Sequence, residues 1–111
     1  MTDEKSLLSL LGMCRKAGKL SCGHDAAMGS IKTGKASLCI LSCDASERLR
    51  AECARELEMA GSKIPVITLT ASMDEIGHAT GLRSAVLTVN ESGFAGSMLR
   101  IYGQSREEVI E

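Results

Sequence analysis

Aromatic residues are almost missing from this chain: one Phe, one Tyr and no Trp in 111 residues. With only Phe94 and Tyr102, no sheet can hold a row of rings on which unpaired bases stack, so that mode of nucleic-acid binding is set aside. There is no excess of positive charge either. Thirteen Lys and Arg stand against fourteen Asp and Glu, a net charge of −1 that argues against binding nucleic acid by bulk charge. No apolar run reaches membrane-spanning length. The run Leu7 to Leu11 is too short for a signal peptide and leads into Arg15 and Lys16 without a small-residue cleavage pattern, so neither an exported protein nor a membrane protein is expected. The five cysteines (Cys14, Cys22, Cys39, Cys43, Cys53) are odd in number and contain no C-x-x-C pair. That disfavours a disulfide framework or a zinc knuckle and fits a reducing cytoplasm. Cys39 and Cys43 would sit about 13 Å apart on one side of a strand, too far to share a metal, and read as small core residues.

What is present is alternation. Leu7, Leu8, Leu11 and Cys14 recur at helical spacing after an acidic start, and Gly18 supplies a stop, so residues 3–17 read as a helix. A short strand over 20–22 leads to a second helix over 23–33, and Ser37 to Ser42 is an apolar run suited to a strand covered on both faces. Asp44-Ala45-Ser46-Glu47 has capping-box form, with Asp44 as the expected N-cap of a helix that Gly61 closes. A strand over 65–69 and a second capping box at Ser72-Met73-Asp74-Glu75 follow. A strand over 85–89 and a last helix through Tyr102 complete the series. One domain over residues 1–103 is expected, with 104–111 a frayed tail, and the sheet is expected to be four-stranded, mixed and mostly parallel, sandwiched between helices. Met13, Met28, Met59, Met73 and Met98 lie in different elements and read as gap-fillers.

The trap is Gly29-Ser30-Ile31-Lys32-Thr33-Gly34-Lys35, which satisfies the first seven positions of a P-loop. A P-loop follows a strand and opens a helix, whereas this stretch closes a helix and feeds a strand, and Ala36 replaces the hydroxyl that would bind magnesium. Gly34 reads instead as the glycine just past a helix end. Cys22-Gly23-His24 is a poor nucleophile and base pair, because neighbours on a turning backbone rarely face each other, and no G-x-S-x-G elbow is present. His78 is expected to face solvent. The remaining signal is charge. Before residue 36 the cations Lys5, Arg15, Lys16, Lys19, Lys32 and Lys35 meet only Asp3, Glu4 and Asp25. Five of those cations and several glycines surround the short helix 23–33, whose first turn offers free N–H groups and the positive end of the helix dipole. Arg15 and Lys16 are explained by their place at a helix C-terminus, but Lys19, Lys32 and Lys35 are not.

Leu11-Gly12-Met13-Cys14-Arg15-Lys16-Ala17-Gly18-Lys19-Leu20, Gly23, Ala27, Ile31, Gly34-Lys35-Ala36, Cys43-Asp44-Ala45-Ser46, Ile64-Pro65-Val66 and Ile76-Gly77-His78-Ala79-Thr80-Gly81 together resemble the ribosomal protein L-seven-Ae / L-thirty-e family, most closely its bacterial YlxQ-type members. The resemblance spans residues 6 to 102. It implies a three-layer α/β/α fold and binding to kink-turn RNA in ribosomal or other structured RNAs, without catalysis, cofactor or small-molecule substrate. In that family the start of the second helix reads tandem sheared G·A pairs with a G-x-N-E-x-x-K-like pattern. Gly23 matches the glycine, but Asp25 stands at the amide position, Ala26 at the acidic one and Gly29 at the lysine. Guanine O6 and N7 are acceptors, and an ionised Asp25 has no proton to give them. Asp25, Gly29 and Lys32 share a helical face, so Lys32 is placed to reach a phosphate one turn on. The family's second RNA-facing loop corresponds to Leu69-Thr70-Ala71-Ser72, with Met73 where a cation is expected. The resemblance thus implies an RNA site of Gly23, His24, Asp25, Gly29 and Lys32 at the groove, Arg15, Lys16, Lys19 and Lys35 toward phosphates, and Thr70, Ala71 and Ser72 in the second loop. The alternative is an adaptor that kept the fold, lost RNA recognition and binds a protein.

Overall fold

A computed structural model describes the backbone of residues 4–110 and the side chains of residues 4–103. The elements run α1 (Glu4–Lys16), β1 (Leu20–Cys22), α2 (His24–Lys32), β2 (Leu38–Leu41), α3 (Glu47–Met59), β3 (Val66–Thr68), α4 (Met73–Thr80), β4 (Val86–Val89) and α5 (Ser92–Ile110). Each stands where the periodicity places it. The backbone of α5 continues to Ile110, past the end read from the sequence. The tail expected to fray over 104–111 carries side chains that lie outside the described residues.

The four strands form one sheet in the order β1-β4-β2-β3. It is mixed, as expected, but not mostly parallel. Only β2 and β3 run parallel; β4 lies between β1 and β2 and is antiparallel to both. The apolar runs that suggested parallel strands report coverage rather than direction, because an antiparallel strand with helices on both faces needs the same composition. In β2, Leu38 and Ile40 face one layer and Cys39 and Leu41 the other. The first layer is α1, α4 and α5, which bury Leu7, Leu11, Ile76 and Met98 against Leu38, Ile40, Ile67, Leu87 and Val89. The second is α2 and α3, which bury Ala27, Met28, Ile31, Cys53 and Leu57 against Cys39, Leu41 and Val86. The three-layer α/β/α arrangement follows.

Three smaller expectations are corrected by geometry. Ser46, not Asp44, caps α3, its hydroxyl accepting from the N–H of Leu49 at 3.1 Å, because the helix begins at Glu47 and only its immediate neighbour can reach that amide. Cys43 lies beyond the end of β2 and is exposed, so it is no core residue. Met28 and Met98 fill gaps, whereas Met13 and Met59 are exposed. The Ser72 capping box is present in both directions, and His78 is exposed.

One buried polar atom among the described residues has no partner, the Thr88 hydroxyl, on a strand residue that is 0% exposed. An orphaned buried group costs about 1–3 kcal/mol, so Thr88→Val, which keeps the shape and removes the hydroxyl, is expected to stabilise the fold by about 1 kcal/mol. A thermal midpoint raised by several degrees is the expected readout, and a lowered midpoint would show that the hydroxyl is hydrogen-bonded in solution.

Candidate functional site

The start of α2 lies at the end of the sheet where β1, β2 and β3 finish and β4 begins. The N–H of Gly23 donates to Val86 O at 3.0 Å, Ser42 N to Ala85 O at 3.0 Å, and Cys43 N to Ala71 O at 3.0 Å, so one row of backbone bonds joins the α2 start to the 69–72 loop. β1 and β3 are the two edges of the sheet, and three strand spacings put these segments about 14 Å apart. Gly23, with φ 94°, turns the chain from β1 into α2 through a left-handed conformation that L side chains rarely adopt. It supplies no side-chain cap, so the amides of the first turn are left to solvent or a ligand.

The side chains around those amides are mainly acidic. His24 is held between two carboxylates, Nδ1 2.9 Å from Asp25 Oδ1 and Nε2 2.7 Å from Glu52 Oε2 on α3. The hydrogen bond to Asp25, then that to Glu52, raise the His24 pKa above its ordinary value. A neutral imidazole carries one N–H and can donate to only one of the two; the cation donates to both. With the folded-state pKa raised, the stabilisation from this link is fully present below the unfolded value near 6.5 and is lost as pH rises through the folded value. An NMR titration is expected to place His24 above 6.5, with Asp25→Asn and Glu52→Gln each lowering it; an unchanged midpoint in both variants would remove the carboxylates from the account. Glu52 is 28 residues from His24, and no local pattern in the sequence joins them.

On the second loop, Thr70 is occupied. Its N–H and hydroxyl donate to the two oxygens of the Glu4 carboxylate at 2.7 and 2.9 Å. Ser72 caps α4, and the Ala71 side chain is 2% exposed, so its methyl belongs to the core rather than to a contact surface. Asp44 closes the same rim: its carboxylate accepts from Ser42 Oγ at 2.6 Å and from the N–H of Met73 at 3.2 Å, and these hydrogen bonds hold its pKa below the usual carboxylate range. Asp74, also on α4, is paired with Arg83.

The lysines are elsewhere, and the arginines Arg15, Arg50 and Arg83 at this end are engaged. Arg15 does not serve its own helix; its guanidinium donates to Thr80 O at the end of α4. Lys19 precedes β1, Lys32 ends α2 about 12 Å along its axis from His24, and Lys35 follows just past that helix end. The near P-loop is a helix ending: Gly34 N–H donates to Ile31 O at 3.1 Å and Lys35 N–H to Ser30 O at 3.0 Å, so these amides turn back onto the helix instead of facing a phosphate. Gly29 is exposed, with nothing within 4 Å of where a Cβ would stand. Cys22, beside Gly23, has its thiol pKa pushed up by burial, an effect that Arg15 and Ser84 only partly offset, so it stays protonated near neutral pH.

The sequence matches the ribosomal protein L7Ae/L30e/S12e/Gadd45 family over residues 5–98. The chain belongs to this family. A solved structure of a protein of unknown function from Bacillus halodurans is similar to it, with a TM-score of 0.75 and 26% identity, covering 86% of this chain and 94% of that one. The Giardia lamblia 15.5kD RNA binding protein shares the fold at a TM-score of 0.71 and 19% identity, over 94% of this chain and 88% of that one. No curated protein matches the sequence. Among the described residues, no helix is long and apolar enough to cross a membrane, and no group of three or more His, Cys, Asp or Glu could hold a metal ion.

Proposed function

We propose that this is a non-enzymatic, cytoplasmic RNA-binding protein of the kink-turn type, which meets structured RNA, ribosomal RNA among the candidates, at the start of α2. The observation that carries the reading is the family match over residues 5–98, joined to an α2 whose first-turn amides have no side-chain cap. The fold shared with an RNA-binding protein supports it. In this reading Gly23 admits the RNA to the helix start, His24 and Asp25 line the groove, Gly29 lets the backbone come close, and the loop at Thr70 and Ser72 meets an extruded base with the Met73 thioether beside it.

A second reading has its own support. The acidic setting of Asp25, Asp44 and Glu52 is unfavourable to phosphate and suits an adaptor with a protein partner. Retention on immobilised structured RNA separates the two: the RNA-binding reading expects retention at low salt and elution as salt rises, and passage through the column at low salt would contradict it.

A further inference from the structure

The end of the molecule opposite the α2 start is built around a chain of hydrogen bonds. The carbonyl of Lys19 accepts from the N–H of Asn90 at 2.8 Å. The Asn90 side chain accepts from the hydroxyl of Ser30, on α2, and donates to Ser21 Oγ at 2.9 Å, on β1. The Ser30 carbonyl in turn accepts from the N–H of Lys35 at 3.0 Å. Lys19 and Lys35, sixteen positions apart in the chain, are therefore fixed around one buried serine and one asparagine, with Ser30 only 6% exposed. Lys32 occupies the last turn of α2 beside them. Lys16 ends α1, where the N–H of Lys19 folds back to Cys14 O at 3.0 Å and brings the two lysines onto one turn.

All four lysines are exposed, and none forms an ion pair among the described residues. The backbone N–H groups of Phe94, at 2.7 Å, and of Gly93, and then the charge of Lys19, hold the Glu91 carboxyl below its ordinary pKa, but Glu91 forms no ion pair with the lysine. The opposite end has the reverse balance: Asp25, Asp44, Glu52 and Asp74 lie there, and Arg83, Arg15 and Arg50 are engaged with Asp74, Thr80 O and Thr68 Oγ1. A protein of net charge −1 has thus gathered unpaired cations at the end of α2 that does not read bases.

We infer that Lys16, Lys19, Lys32 and Lys35 form a second site, separate from the α2 start, that binds the phosphate backbone of RNA; the inference rests on RNA as the partner. The exposed stripe of Asp25, Gly29 and Lys32 links the two ends, so one molecule engages an RNA both at a structured element and along an adjoining helix. Such a site reads charge and not sequence.

The test is binding to a plain Watson–Crick RNA duplex, which contains no kink, measured against salt. Wild type is expected to bind it, with log affinity falling linearly in log salt. In Lys19→Gln/Lys32→Gln/Lys35→Gln the slope is expected to shrink by about 3 and the affinity at low salt to fall at least about tenfold, while Arg83→Gln at the other end keeps the wild-type slope. Because the three lysines are exposed, a circular dichroism spectrum like that of wild type is expected. Amide shift mapping on the wild-type protein gives an independent reading, with shifts expected at residues 16–19 and 32–36. An unchanged slope in the triple variant, or shifts confined to 23–25 and 70–72, overturns the second site and leaves RNA binding standing. Binding to a kink-turn RNA but not to the duplex has the same meaning. No binding of the wild type to either RNA overturns the second site together with the RNA reading.

Discussion

In Asp25→Asn/Ala26→Glu/Gly29→Lys, affinity for a kink-turn RNA is expected to rise about 100-fold or more, since each base contact regained is worth about 1–3 kcal/mol. The backbone can accept all three changes. Asp25 and Ala26 are exposed on the first turn of α2, and a Cβ at Gly29 meets nothing within 4 Å. The asparagine supplies the N–H donor that an ionised aspartate lacks, and it removes one of the two carboxylates that hold His24. Glycine to lysine in a helix interior also favours the helix by about 1 kcal/mol or less. The net charge changes by only +1, from +1, −1 and +1 at the three positions, so binding to a Watson–Crick control RNA is expected to change little. An equal gain on both RNAs would mean that charge and not base reading had improved. No gain on the kink-turn would mean that the α2 start is not where RNA is read.

The same glycine-to-alanine change is expected to have opposite signs at two helix positions. A Cβ at Gly12 on α1 would stand 2.7 Å from Ala79 O, a backbone atom on α4 that can move only if the two helices separate. Such overpacking costs about 1–3 kcal/mol, more than the gain in helix propensity at most of that range, so Gly12→Ala is expected to lower the thermal midpoint. At Gly96, on α5, a Cβ meets nothing within 4 Å, and Gly96→Ala is expected to stabilise by about 0.5–1 kcal/mol. Thermal unfolding of the two variants checks the contrast. A midpoint for Gly12→Ala at or above wild type would show that α1 and α4 do not approach so closely, and with it would go the packing that brings Arg15 to the end of α4.

Most of the fold was legible because its signals are local. Helical spacing in α1, the glycines at helix ends and the Ser72 capping box each need only a few neighbouring residues. Sheet direction was not, since whether β4 runs with or against β2 depends on which strand it lies beside, and its apolar residues suit either. The candidate site divides along the same line. Gly23 at the head of α2 and Gly34 past its end were readable from spacing and turn chemistry. The grip of Glu52 on His24, of Glu4 on Thr70 and of Asp44 on Met73 joins residues 28, 66 and 29 positions apart, and nothing in the sequence pairs them. The sequence placed Lys19, Lys32 and Lys35 with the α2 start because they surround it in the chain, and only Arg15 of the cations before residue 20 is shown acting there, on the Cys22 thiol. In three dimensions α2 carries Lys32 and Lys35 to its far end, and β1 separates Lys19 from Gly23.

Calorimetric titration with a standard kink-turn RNA, beside the same RNA with its G·A pairs replaced by Watson–Crick pairs, tests the central claim most directly. Binding to the kink-turn RNA that exceeds binding to the control is the result expected of a protein that reads RNA at the start of α2. Equal binding to both would contradict that site, and no binding to either at low salt would contradict RNA as the partner and leave the adaptor.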